Sequence, residues 1–82
     1  MMVGVIIRYN RKTGDRCVKV YDGPNGYLDA GNDPAYLRDS AKVGTDWEVA
    51  LIGSDSLASV MHTHSRYFSG KDRTKELAAQ FE

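Results

Sequence analysis

Cysteine is almost missing from this 82-residue chain: Cys17 stands alone. A single thiol excludes an intramolecular disulfide and a four-thiolate zinc site. Set among Arg16, Val18 and Val20, it reads as a small strand residue rather than a nucleophile, and its isolation fits a reducing, cytoplasmic compartment. Long apolar runs are missing too. None approaches the roughly 20 residues that cross a bilayer, so no membrane partner is expected. The apolar start, Met1 to Ile7, has no basic lead and no small-residue cleavage site, and reads as a strand rather than a signal peptide. Net charge is absent, with 11 basic against 11 acidic residues, which argues against a dedicated electrostatic binder of nucleic acid. Gly23, Gly26 and Gly31 lack the spacing and the Lys-Ser/Thr ending of a phosphate loop, and no cofactor is expected.

What is present is patterning for one small domain over residues 1–82. A chain this short buries only roughly 60–65% of its unfolded surface, so its core is thin. Residues 2–9 alternate as a strand, with Val3, Val5, Ile7 and Tyr9 on one side. Asn10 to Asp15 is a hairpin loop, with Gly14 free to take the left-handed conformation, and a second strand follows over 16–22. Residues 23–32 read as the longest irregular loop, a natural place for binding residues. Asp33-Pro34 then starts a helix with Tyr36, Leu37, Ser40 and Val43 on one side, and Gly44 ends it.

A third strand spans 47–52. Gly53 turns the chain and Ser54 caps the main helix, with Asp55 near its positive end. At about 100° per residue, Leu57, Val60, Met61, His64, Tyr67 and Phe68 share an arc of about 120°, the width of a core-facing stripe. His64 in that stripe reads as a buried imidazole hydrogen-bonded to a carbonyl or to Tyr67, Tyr36 or Thr45. Ser69 to Asp72 breaks the helix, and a last short helix sets Thr74, Leu77 and Phe81 along one side. The expected fold is α+β: a two-layer ββαβα sandwich, in which a three-stranded sheet with an N-terminal antiparallel hairpin is covered by two helices and a short C-terminal helix. Strand three can lie beside either of the others.

The second face of that sheet is not polar. Met2, Ile6, Cys17, Tyr21, Ala50 and Ile52 would share it, and an apolar face on a small domain must be covered. A second copy of the chain is one cover, since symmetric dimers are the commonest assembly. The leading expectation is therefore a non-enzymatic binding or regulatory protein that acts through protein contacts as a homodimer. Its contact residues would be Ile6, Tyr21 and Ile52 on the open face, Tyr27 and Leu28 in the long loop, and His62 and Arg66 on the outer side of the main helix.

The alternative is nucleic-acid binding. Residues 8–19 carry Arg8, Arg11, Lys12, Arg16 and Lys19 against Asp15 alone, whereas residues 22–55 carry seven acids against Arg38 and Lys42. A basic hairpin can lie along phosphates, although no aromatic at this tip would stack on bases. The acids and amides around the long loop (Asp22, Asn25, Asp29, Asn32, Asp33) lack calcium-loop spacing and are ordinary turn formers.

His62-Thr63-His64, with Ser69 and Asp72, resembles the His-x-His…Ser-x-x-Asp signature of JAMM-type zinc isopeptidases. The resemblance implies a metal held by two histidines and an aspartate, with Glu48 as the proton carrier and zinc-dependent hydrolysis as the activity. The motif departs from the family in its four-residue gap to the serine and in Ser65 where that family has proline, and the chain is shorter than that fold. A helix here would also set the two imidazoles at about 140° and 340°, on opposite sides, so the helical reading assigns no metal ligand.

Overall fold

The fold is seen in a computed structural model that describes residues 2–40 and 45–81. Its centre is an antiparallel sheet of order β2-β1-β3, formed by β1 (Val3–Asn10), β2 (Arg16–Tyr21) and β3 (Trp47–Ser54). The α+β class and the N-terminal hairpin are as the sequence indicates. In the hairpin loop, the Asn10 side chain accepts from the N–H groups of Lys12 and Thr13, both at 2.9 Å, and Gly14 takes φ 81°. Strand three lies beside β1. The C-terminal segment occupies the outer edge of β2 instead: Arg16 N donates to Lys71 O at 2.9 Å and Arg73 N to Arg16 O at 2.7 Å.

One face of the sheet carries Val3, Val5 and Ile7, which form the main core with Val60 and Tyr67. Tyr9, Val18, Ala50, Ile52, Leu57 and Phe68 pack around it. The register corrects the expected composition of the two faces. Ile52 lies across from Val5 and Ala50 across from Ile7, so both belong to this core face and not to the second one. Because Gly53 and Ser54 continue the strand, the turn into the next helix comes later than expected. Ser56 is the N-cap of α3 (Leu57–Thr63), its hydroxyl accepting from Ser59 N at 3.1 Å, where the sequence pointed to Ser54.

The apolar stripe also breaks earlier than its period implies. The helix ends at Thr63, His64 is its C-cap at φ −119°, and a 3-10 turn over Ser65–Phe68 swings Tyr67 back into the core. His64 is exposed rather than buried, with its ring stacked 6.4 Å from that of Tyr67. Met61 is 44% exposed, so the helix buries a narrower stripe than expected. A short helix α4 (Thr74–Leu77) then packs on β2, where Val18 N donates to the Thr74 hydroxyl at 3.0 Å. The side chain of Phe81 lies outside the described residues.

The second face is closed by the chain itself. The stretch expected to be an irregular loop forms the helix α1 (Gly26–Gly31). Two glycines permit this: a Cβ on Gly4 would stand 2.6 Å from the Ala30 Cβ, and one on Gly26 would stand 3.0 Å from the Met2 carbonyl oxygen, so α1 lies directly on β1. Ile6 is fully buried, as are Cys17, Ala30 and Ala35. Helix α2 (Pro34–Ser40) follows, with the expected cap: Asp33 accepts from Ala35 N at 2.8 Å and Tyr36 N at 3.1 Å. It buries Ala35 and Asp39, four residues apart, rather than Leu37 and Ser40, because Asp39 reaches the buried Arg8 on β1. Val43 and Gly44, expected on and after this helix, lie outside the described residues. Helices thus stand on both faces of the sheet.

Candidate functional site

On the core-face side, the start of β3 and the turn after α3 build one exposed polar cluster. Glu48 accepts from Arg11 Nε at 3.3 Å, from Arg66 at 2.7 Å and from the Tyr67 hydroxyl. Arg66 lies over the Tyr67 ring, 4.2 Å from its centroid, and Tyr9 meets the same ring edge-on at 5.5 Å. The Tyr67 hydrogen bond is the largest influence holding the Glu48 carboxyl below its usual range; burial opposes it, and Arg66 and Arg11 add to it. Burial, then Glu48, push the Tyr67 phenol up. Arg66 and Arg11 remain more than half exposed, and His62 and His64 are exposed nearby in the chain. Glu48 is therefore tied into an Arg–Glu–Arg arrangement. Among the described residues, no three His, Cys, Asp or Glu side chains converge as a metal site would require.

The basic hairpin does not assemble into one patch. Arg8 is 2% exposed on the second face and pairs with Asp39 at 3.2 Å. Lys19, on that same face, donates to Asp33 at 2.7 Å and lies 5.1 Å from the Tyr21 ring centroid. Arg16 points to the other face, donating to Gly70 O at 2.8 Å with its guanidinium 5.0 Å from the Phe68 ring centroid. Arg11 turns to Glu48, and Lys12 is exposed at the tip. Alternation along the strands, which linear charge counting ignores, separates these cations.

Asp33 is the densest polar node. Besides capping α2, it accepts from Lys19 and from the Tyr21 hydroxyl. Burial raises its pKa, but the hydrogen bonds from Lys19, Tyr21 and Tyr36 N outweigh burial and hold the carboxyl well below the ordinary range. Tyr21, expected on an open surface, is half-buried here. Burial raises the Cys17 thiol, as suits a packing residue.

The contact residues proposed from sequence divide accordingly. Ile6 is interior, and Ile52 packs in the opposite layer, so neither offers a surface. Tyr27 and Leu28 are exposed on α1, at 41% and 64%. His62 and Arg66 are exposed on the other side of the sheet, so they form a separate surface. Sequence reasoning put Met2 on the second face and Leu37 on one side of its helix, and counted neither among the contact residues. Both are exposed, and the sulfur of Met2 and the Tyr27 ring each lie 2.6 Å from where a Cβ on Gly53 would stand, which places them side by side. The even mixture of apolar residues over 27–37 held the signal: Leu28 and Leu37 fall outside the Ala30–Ala35–Asp39 set that faces the sheet. An open groove of about 520 Å³ lies between β2, the start of α3 and α4, with Val18, Val20 and Leu57 inside and Asp72, Lys75 and Glu76 around it.

No helix among the described residues is long and apolar enough to cross a membrane. Neither a protein family, nor a curated protein, nor a solved structure matches the chain.

Proposed function

We propose that this chain is a small non-enzymatic binding domain that docks another protein on the outer side of α1 and α2. The observation that carries this reading is the apolar exposure of that layer: Leu28, Leu37 and Tyr27 stand out on helices whose inner residues already close the sheet, and Met2, just before β1, lies beside Tyr27. Scattered exposed apolar residues are ordinary, but four large ones on the cover of one face are the kind of patch that a partner buries. Tyrosine and methionine suit such a contact, the first for its large rigid area and the second for its adaptability. The charged side chains elsewhere engage one another: Arg8 with Asp39, Lys19 with Asp33, and Arg11 and Arg66 with Glu48.

The test is capture from the native host with the intact chain and with a Leu28→Asp/Leu37→Asp variant. Both substitutions replace exposed groups, so the circular dichroism spectrum and melting curve should stay close to wild type. The reading expects a protein that the wild type retains and the double variant loses, with at least tenfold weaker binding. Equal retention of that protein by both forms removes α1 and α2 as the surface.

A further inference from the structure

A sheet closed on both faces still has edges, and the two edges of this sheet are treated differently. The β2 edge is guarded over its first half: residues 71–74 run along it, bonding Arg16 at both its N–H and its carbonyl, and the N–H of Val18, which leaves Val20 open among the described residues. Among the described residues, no strand or loop pairs with the β3 edge. Hydrogen bonding from Arg11 N to Asp46 O, in phase with the Tyr9–Glu48 and Val5–Ile52 pairs, assigns the backbone groups of residues 48, 50, 52 and 54 to β1. Those of Trp47, Val49, Leu51 and Gly53 therefore point outward. Trp47 is served locally by the Thr45 hydroxyl, at 3.1 and 3.2 Å. Among the described residues, nothing pairs with the outward groups of Val49, Leu51 and Gly53.

Edge strands of soluble proteins are ordinarily blunted by lysine, proline, a bulge or a cover. β3 reads Trp-Glu-Val-Ala-Leu-Ile-Gly-Ser, with no lysine and no proline, and it pairs with β1 without a bulge over eight residues. We propose that this edge pairs with the β3 edge of a second copy of the chain, antiparallel about a two-fold axis at Leu51, making one six-stranded sheet of order β2-β1-β3-β3-β1-β2.

The strand is complementary to itself in that register. Leu51 meets Leu51 of the second copy, and Val49 meets Gly53, so each outward N–H and carbonyl of the three residues finds a partner. On the core face, Ala50 falls opposite Ile52, and Glu48, the one charge in β3, falls opposite Ser54 rather than opposite itself. Registers shifted by one residue would send the apolar set to the wrong side. This dimer pairs backbone along β3 and does not rest on the α1–α2 reading, although the two adjoin at Gly53, over which Met2 and Tyr27 lie.

Sedimentation equilibrium of the intact chain over a hundredfold concentration range should show twice the monomer mass at the upper end. Leu51→Pro removes an outward N–H while leaving the β1–β3 bonds in place, and should give monomers at least tenfold further up the concentration scale. Disulfide trapping reads the register even if that variant fails to fold. In the proposed pairing, Cα48 and Cα54 of the two copies are about 4.5 Å apart, within disulfide reach, while two Cα48 atoms are roughly 20 Å apart. Oxidised mixtures of Glu48→Cys and Ser54→Cys chains should therefore give a covalent dimer at least tenfold faster than either alone. A wild type monomeric throughout, a folded Leu51→Pro chain that still dimerises equally well, or single variants that cross-link as fast as the mixture each overturn the proposal.

Discussion

At the scale of single residues, the molecule is organised by a few carboxylates with several partners each. Asp33 joins two elements: it caps α2 and accepts from Lys19 and Tyr21 on β2. Asp39 does the same for α2 and β1 through Arg8, and removing one partner of so buried a pair typically costs about 3–5 kcal/mol. For Asp33 the pH dependence has a definite sign. Its folded pKa lies below the unfolded value of 3.8, so the unfolded chain takes up the proton first as pH falls. The stabilisation is complete above about pH 5 and declines as pH drops through and below the ordinary carboxylate range. Urea titrations between pH 2 and 7 should show wild-type stability falling with acid, with Asp33→Asn less stable at pH 7 and less sensitive to pH. A variant as stable as wild type at pH 7, or equal pH slopes for both, would contradict the role given to Asp33. Asp39, Glu48, Asp55 and Asp72 are depressed as well, so part of the acid sensitivity survives in the variant.

At the scale of elements, local signals were legible where chemistry is local. The Asn10–Gly14 turn, the Asp33-Pro34 helix start and the alternation of β1 are all readable from the chain. The helix after β3 shows where such reading stops. Ser54 and Ser56 are both good caps, and only the length of β3, fixed by pairing with Val3 and Gly4, decides between them. Ser56→Ala should cost about 1 kcal/mol and Ser54→Ala less than about 0.5 kcal/mol in denaturant unfolding; the reverse order would place the helix start where the sequence alone put it. His64 was misread for a related reason. A 3.6-residue period extended through Phe68 puts it in the core, but the chain stops being α-helical at Thr63, and the 3-10 turn rotates Tyr67 inward and leaves His64 outside. Helix α1 was hidden by its glycines, which weaken helix propensity, although Gly26 is needed where the helix start meets the carbonyls of Tyr21 and Met2, and Gly4 on β1 makes room for Ala30.

At the scale of the whole molecule, the open second face expected from composition is the point at which sequence and structure part. Two residues placed on it, Ala50 and Ile52, belong to the other face by register, and Ile6 is sealed under α1 and α2. A one-residue difference in strand phase is enough to exchange the faces, and hydropathy does not fix that phase when both faces are apolar. What the fold leaves open is narrower: the outer side of α1 and α2, the Arg11–Glu48–Arg66 cluster, and the β3 edge. The central claim is that, among the described residues, the sheet is complete in its layers and incomplete chiefly along that edge. Amide hydrogen exchange, followed residue by residue at low and high protein concentration, tests this most directly. Ile6, Ile7 and Ile52 should be protected at both concentrations, while Val49, Leu51 and Gly53 should exchange freely in the dilute protein and become protected in the concentrated one. Exposure of Ile6 in the dilute protein, or protection along β3 that ignores both residue parity and concentration, would contradict it.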